Sequence, residues 1–152
     1  MHLELDDLTR PEVLALLREH LAHMHELSPP TSVHALDVEK LRSPDISFWT
    51  VWQDDTLLGC GALRELDATH GEVKSMRTPN VLRRRGAGRA VLAHIIDVAK
   101  SRGYARLSLE TGSSDGFRPA LQLYRDMGFV RGGAFGEYHD DGFKVFLTLE
   151  LA

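Results

Sequence analysis

The sequence predicts an α/β (α+β) fold, one mixed sheet with helices on both faces, and three observations carry that reading. The chain has 152 residues, the size of a single domain that buries most of its apolar surface without metals or disulfides. Strand-like runs follow one another through its first half. The second half then alternates strand, helix, strand, helix, strand, an order that places helices against a sheet.

Taken in order, His2 to Leu5 alternates as a strand does, and Leu8-Thr9-Arg10-Pro11 supplies a turn and a helix start with Pro11 near the first helical position. Val13, Leu17, Leu21 and Met24 recur at helical spacing, so a helix is expected to about Met24, before Ser28-Pro29-Pro30 forbids continuation. A short helix is expected over Leu36–Leu41, ended by Ser43-Pro44. Ile46–Trp52 and Leu57–Leu66 form a strand pair around the polar turn at residues 53–56, and Glu72–Thr78 adds a third strand. From Gly86 to Ser101, Val91, Ile95 and Val98 with Leu92, Ile96 and Ala99 give the broad apolar face of a helix, closed by Gly103. Arg106–Thr111 reads as a buried strand and Ala120–Met127 as a helix ended by Gly128. Val130 onward and Val145–Leu151 are the closing strands.

Composition excludes several classes. A formal charge of -4 with both signs interspersed gathers neither nucleic acid nor an anionic membrane. One cysteine, Cys60, rules out an internal disulfide framework, and neither a leader nor an apolar run of spanning length is found, so cytoplasm is the expected compartment.

The chemistry concentrates between Glu72 and Ala90. A strand, a short connection and a glycine-punctuated helix start put Gly86, Ala87 and Gly88 where unpaired first-turn amides aim at a ligand, with Arg83, Arg84, Arg85 and Arg89 around them. That combination points to an anion, phosphate above all. The dinucleotide fingerprint fails because Val91 replaces its third glycine, and the P-loop fails for want of Gly-Lys-Ser/Thr. What is left, Arg83-x-x-Gly86-x-Gly88 opening a long helix, resembles the coenzyme A pyrophosphate loop of the GNAT N-acetyltransferases. Ala120-Leu-Gln-Leu-Tyr124-Arg-Asp-Met-Gly128-Phe129 resembles the second signature of that superfamily.

The resemblance implies a mostly antiparallel sheet of six to seven strands. The strand before the loop would be bulged and splayed from Arg106–Thr111, with the pantetheine arm of acetyl-coenzyme A in the opening. Backbone near Met76 and Thr78 would hold the thioester, and the acceptor would be a primary amine of a small molecule or peptide, with no metal. Amine acetylation has to remove a proton from an ammonium of pKa ~10. Glu72, fourteen residues before Gly86, resembles the general base of the histone-modifying branch; the other reading is a surface strand carboxylate paired with Lys74 or an arginine. Tyr124 is placed by the resemblance beside the departing thiolate, where its phenol could donate; otherwise it is a core tyrosine. Many members carry asparagine where this chain has Phe117, so apolar packing is expected to replace that contact.

His20, His23, His25 and His34 lack the spacing of a zinc face, though His23, His25 or Glu26 could touch the acceptor. Arg77 and Tyr138 are open candidates for the same role. Cys60, Trp49 and Trp52 read as core. Two other functions compete with the enzyme: a non-catalytic acyl-coenzyme A binding module and a nucleic-acid binder using Arg83–Arg89, the latter disfavoured by charge. Monomer and homodimer both stay open.

Overall fold

The computed structural model describes residues 1–27, 38–78, 86–113, 115–136 and 138–151. In chain order its elements are β1 (His2–Leu5), α1 (Pro11–Leu27), α2 (Val38–Leu41), β2 (Ile46–Gln53), β3 (Thr56–Asp67) and β4 (His70–Arg77). They continue with α3 (Ala87–Ser101), β5 (Arg106–Gly112), a 3-10 turn (Asp115–Phe117), α4 (Arg118–Asp126), β6 (Val130–Arg131) and β7 (Lys144–Glu150). Seven strands form one sheet in the order β1-β2-β3-β4-β5-β7-β6, antiparallel throughout except at β4 and β5. The mixed, mostly antiparallel sheet expected from the sequence is the one observed.

Alternation along each strand divides the core in two. Trp49, Val51, Leu63 and Val73 point to one face, where Val91, Leu92, Ile95 and Ile96 of α3 and Tyr124 of α4 cover them. Phe48, Trp52, Cys60 and Ala62 point to the other, against Val13, Leu16 and Leu17 of α1 and Leu41 of α2. Trp49, Trp52 and Cys60 are core residues, and burial pushes the Cys60 thiol up to about 12.

Helix α1 departs from the expected stripe in two ways. It runs on to Leu27, and Leu21 is 39% exposed while Leu16 is buried. At about 100° per residue, Leu21 lies roughly 80° from Val13, whereas Leu16, Leu17, His20 and Met24 fall within about 60° of it. The buried line is therefore Val13, Leu16, Leu17, and it continues through His20 and Met24 toward the site described below. The short helix begins at Val38; residues 36 and 37 of its expected span lie outside the described residues.

Pairing along β4 carries the features that build a cavity. Cys60 lies opposite Arg77 and Ala62 opposite Lys74, so Ser75 and Met76 together oppose Gly61: a β-bulge, with Ser75 at φ 54°. The extra residue restores Arg77 to the face that Glu72 and Lys74 share; an unbulged strand would turn it to the opposite face. Pairing of β4 with β5 consists of three positions, ending at Glu72 opposite Ser108. Beyond it, Leu109 to Gly112 pair only with β7, and the two strands part.

Gly61 lets α3 and the bulge close on β3. A Cβ there would stand 2.4 Å from Val91 Cγ1 and 2.6 Å from Met76 Sδ. Gly61→Ala is therefore expected to destabilise the protein by about 1–3 kcal/mol through overpacking, measured as a lower urea midpoint with unchanged slope.

Candidate active site

A cavity of about 480 Å³ opens where β4 and β5 separate. One end is built by Thr78, the first turn of α3 and the start of α4; the other by Glu72, Lys74, Arg77 and Glu110 on the sheet, with His20, His23 and Met24 of α1.

At the first end, Gly86 adopts φ 82°, a left-handed conformation that favours glycine, and no side chain among the described residues caps α3. The first turn holds no acidic residue, so its amides and the positive end of the helix remain for an anion. Ala87 is buried beneath, and Arg89 is exposed, 3.5 Å from Asp126. Gly88 lines the cavity, yet a Cβ there would meet Leu123 at 3.3 Å, so its smallness also serves the contact with α4. Arg83, Arg84 and Arg85 lie outside the described residues. Met76 and Thr78 both line the cavity. Phe117 is buried with its ring over Gly112 and edge-on to Phe143, 6.1 Å between centroids, so aromatic packing occupies this wall.

Tyr124 lines the same cavity. Its ring packs edge-on to Phe129 at 5.8 Å, and burial, then the nearby Glu110 carboxylate, pushes its phenol well above the ordinary 10. The group therefore stays protonated across the physiological range and is available as a donor.

Strand register explains the polar floor. On β4 and β5, Glu72, Lys74, Ser108 and Glu110 share one face, opposite Val73, Leu107 and Leu109, which belong to the core under α3. Glu72 is 1% exposed. Its Oε2 accepts from Lys74 Nζ at 3.0 Å and from the Tyr138 hydroxyl at 2.6 Å, and Lys74 also donates to that hydroxyl at 2.6 Å. Glu72 Oε1 is buried with no hydrogen-bond partner among the described residues. The residue is thus paired with Lys74, but inside the cleft and not on the surface. Tyr138 reaches it from the segment between β6 and β7, anchored by Phe135 against Phe146 and His70.

The sequence reading did not single out Glu110. It lines the cavity, and burial raises its carboxyl from 4.5 to about 7, with Lys74 and Lys144 pulling the other way and Glu72 and Asp141 adding to the rise. Its signal lay in Arg106-Leu-Ser-Leu-Glu-Thr, where the polar alternates of a strand taken as uniformly buried had to face something polar.

Arg77 and His23 also line the cavity; Glu26 is exposed on α1, and the side chains of His25 and His34 lie outside what is described. Arg77 Nη2 donates to Glu19 at 2.8 Å. Among the described residues no helix is long and apolar enough to cross a membrane.

Known proteins resemble the chain over most of its length. Residues 12–129 match the family described as Acetyltransferase (GNAT) family. The chain is 52% identical to the uncharacterized N-acetyltransferase YsnE of Bacillus subtilis (strain 168), covering 99% of this chain and 100% of that protein. It is 51% identical to the uncharacterized N-acetyltransferase YedL of Escherichia coli (strain K12), over 96% and 92% respectively. A Bacillus subtilis acetyltransferase solved in complex with CoA shares the fold at TM-score 0.73 and 21% identity, covering 99% of each chain.

A raised carboxyl makes stability depend on pH in a defined direction. The folded chain holds the Glu110 proton up to about 7 while the unfolded chain releases it near 4.5. Its contribution therefore falls as pH rises between those values and is fully unfavourable above them. Glu110→Gln should melt on the order of 5 °C higher than the parent at pH 8 and at nearly the same temperature at pH 4, as read by thermal denaturation at the two pH values.

Proposed function

Because the chain belongs to the GNAT acetyltransferase family, and is thereby an acetyl-coenzyme A dependent acyltransferase, we propose that it moves the acetyl group directly onto a primary amine of a small molecule or peptide. One observation carries the reading beyond the family: Glu110, a partly buried carboxyl poised near neutrality, shares a cavity with the Tyr124 phenol and the open amides of α3.

In this reading the α3 amides and Arg89 hold the pyrophosphate, with Arg83, Arg84 and Arg85 as further candidates. The backbone at Met76 and Thr78 holds the pantetheine and thioester. Glu110 takes the proton from the acceptor, directly or through a water. An alkyl ammonium of pKa ~10 lies about 3 units above Glu110, a gap of about 4 kcal/mol. Burial of the ammonium narrows it, and attack on the thioester removes it by turning the nitrogen lone pair into a bond. Glu72, held by Lys74 and Tyr138, offers Oε1 to the amine hydrogens and is the alternative base. Tyr124 donates toward the departing sulfur. A phenol above 10 does not fully release its proton to a thiolate of pKa ~8.5, so the contribution is a hydrogen bond in the transition state.

A non-catalytic binding module has no use for the titratable floor beyond the thioester position, and this favours the enzyme. Release of free thiol from acetyl-coenzyme A in a panel of amines is the direct test, and its absence across the panel would overturn the proposal. With an active amine in hand, Glu110→Gln should lose about 100-fold or more in kcat with coenzyme A affinity held. The parent's rate should rise with pH through about 7, and the variant should lose that limb. If Glu72→Gln removes the limb instead, the base is Glu72. Tyr124→Phe keeps the ring and its packing, so turnover should fall roughly tenfold to a hundredfold with little change in stability. Parallel kinetic and melting measurements would separate this from a packing role, which predicts equal turnover.

A further inference from the structure

We infer that the acceptor carries a carboxylate as well as its amine, a small amino acid or similar aminocarboxylate, with the carboxylate bound between Arg77 and His20. This rests on the amine-acetylating reading and names the substrate class of the same site.

The acceptor end of the cavity separates its charges. Glu110 and Glu72, the latter ion-paired to Lys74, lie on the sheet floor beside the place where β4 and β5 part, while Arg77, His20 and His23 form the wall toward α1. The bulge at Ser75–Met76 brings this about, since it returns the Arg77 side chain to the face that carries Glu72. Five residues separate Glu72 from Arg77, at most about 16 Å along an extended strand. Two side chains reaching inward across that span leave room for one small molecule.

Arg77 is buried yet lines the cavity, and Glu19, its ion-pair partner, is a third exposed and does not line it. A guanidinium has five donors in a planar fork; Glu19 accepts from Nη2, and Nε is secluded from solvent with no hydrogen-bond partner among the described residues, so a donor remains for a second carboxylate. His20 supplies an independent sign of a ligand. Its Nδ1 is secluded from solvent with no hydrogen-bond partner among the described residues, an unusual state for a buried ring nitrogen. Burial, then the charges of Arg77 and His23, holds the ring neutral down to about 4, with Glu19 opposing. A carboxylate beside Arg77 would accept from that nitrogen and offset the charge that depresses it.

The same layout disfavours other anions. One guanidinium and a neutral imidazole suit a single negative charge, whereas a doubly charged phosphate would also face Glu72 and Glu110. A peptide's amino terminus brings a neutral amide to this position, whose single carbonyl oxygen gives Arg77 neither the charge nor the paired acceptors of a carboxylate.

The test uses matched acceptors: α-amino acids from alanine to phenylalanine and glutamate, each beside its α-carboxamide. Binding to the coenzyme A complex is measured by calorimetry, and turnover by thiol release. The acids should bind at least tenfold more tightly than the carboxamides. Arg77→Gln should raise KM for the acids at least tenfold with kcat little changed, leaving carboxamide kinetics within threefold, and Arg77→Lys should recover part of the loss. Glu19→Gln, at a partly exposed position, should tighten the acids severalfold by removing a carboxylate that competes for Arg77, and it decides the matter if Arg77→Gln does not fold. By NMR, the His20 ring titration should move upward when an acid binds and stay when a carboxamide binds. Equal affinity for acids and carboxamides, or an Arg77 variant that weakens both alike, would overturn the inference. Selective acid binding with the His20 shift but no thiol release from any amine would leave it standing and remove the acetyl-transfer reading instead.

Discussion

The pairing of β4 with β5 stops at Glu72 and Ser108, and the site is a consequence of that stop. Past it, each strand presents backbone donors and acceptors toward the other with no strand between them among the described residues, and buried backbone groups demand partners. An extended ligand with its own amides, such as a pantetheine arm, can supply them. The two strands are held apart from opposite sides. On β4, the bulge opposite Gly61 is locked by Met76 against α3 and by the Cys60 thiol donating to the Ser75 carbonyl at 3.3 Å. On β5, all seven residues are committed to β7, so the strand cannot follow β4.

The same register decides which side chains meet in the opening. The face of β2 and β3 under α1 is apolar, but on β4, β5 and β7 that face carries His70, Glu72, Lys74, Ser108, Glu110 and Lys144. Burying so many ionisable groups is unfavourable unless they pair. The protein meets this with Lys74 on Glu72, Lys144 on Asp141 at 3.4 Å and His70 on Ser108 at 2.6 Å. Glu110 has neighbouring charges of both signs, and burial dominates among them. Glu110 is thereby the carboxyl left incompletely neutralised, while Glu72, bonded to lysine and tyrosine, is fixed in place.

Much was legible in the sequence because it depends on local rules. Helix α3 followed from its apolar stripe, the glycine-led start from the conformational freedom at Gly86, and the strands from their alternation, with bounds within two or three residues of those observed. Gly86, Gly88, Met76, Thr78, Glu72 and Tyr124 were all named from spacing and resemblance, and all line one cavity. Leu21 of α1 went astray because a spacing of eight residues accumulates about 80° of rotation, enough to leave the buried line.

What the sequence by itself determined, then, is the set of elements, the glycine-led helix start and the family signatures, since each is encoded within a few neighbouring residues. The tertiary structure alone decided that Glu110 is a partly buried carboxyl near neutrality, that Glu72 is held by Lys74 and Tyr138, and that Arg77 and His20 line one cavity with both carboxyls. Each of these depends on register across strands or on a segment arriving from far along the chain, sixty-six residues in the case of Tyr138 and Glu72. A proton's affinity for a carboxyl is set by the solvent and charges around it, and that surrounding exists only once the strands are paired.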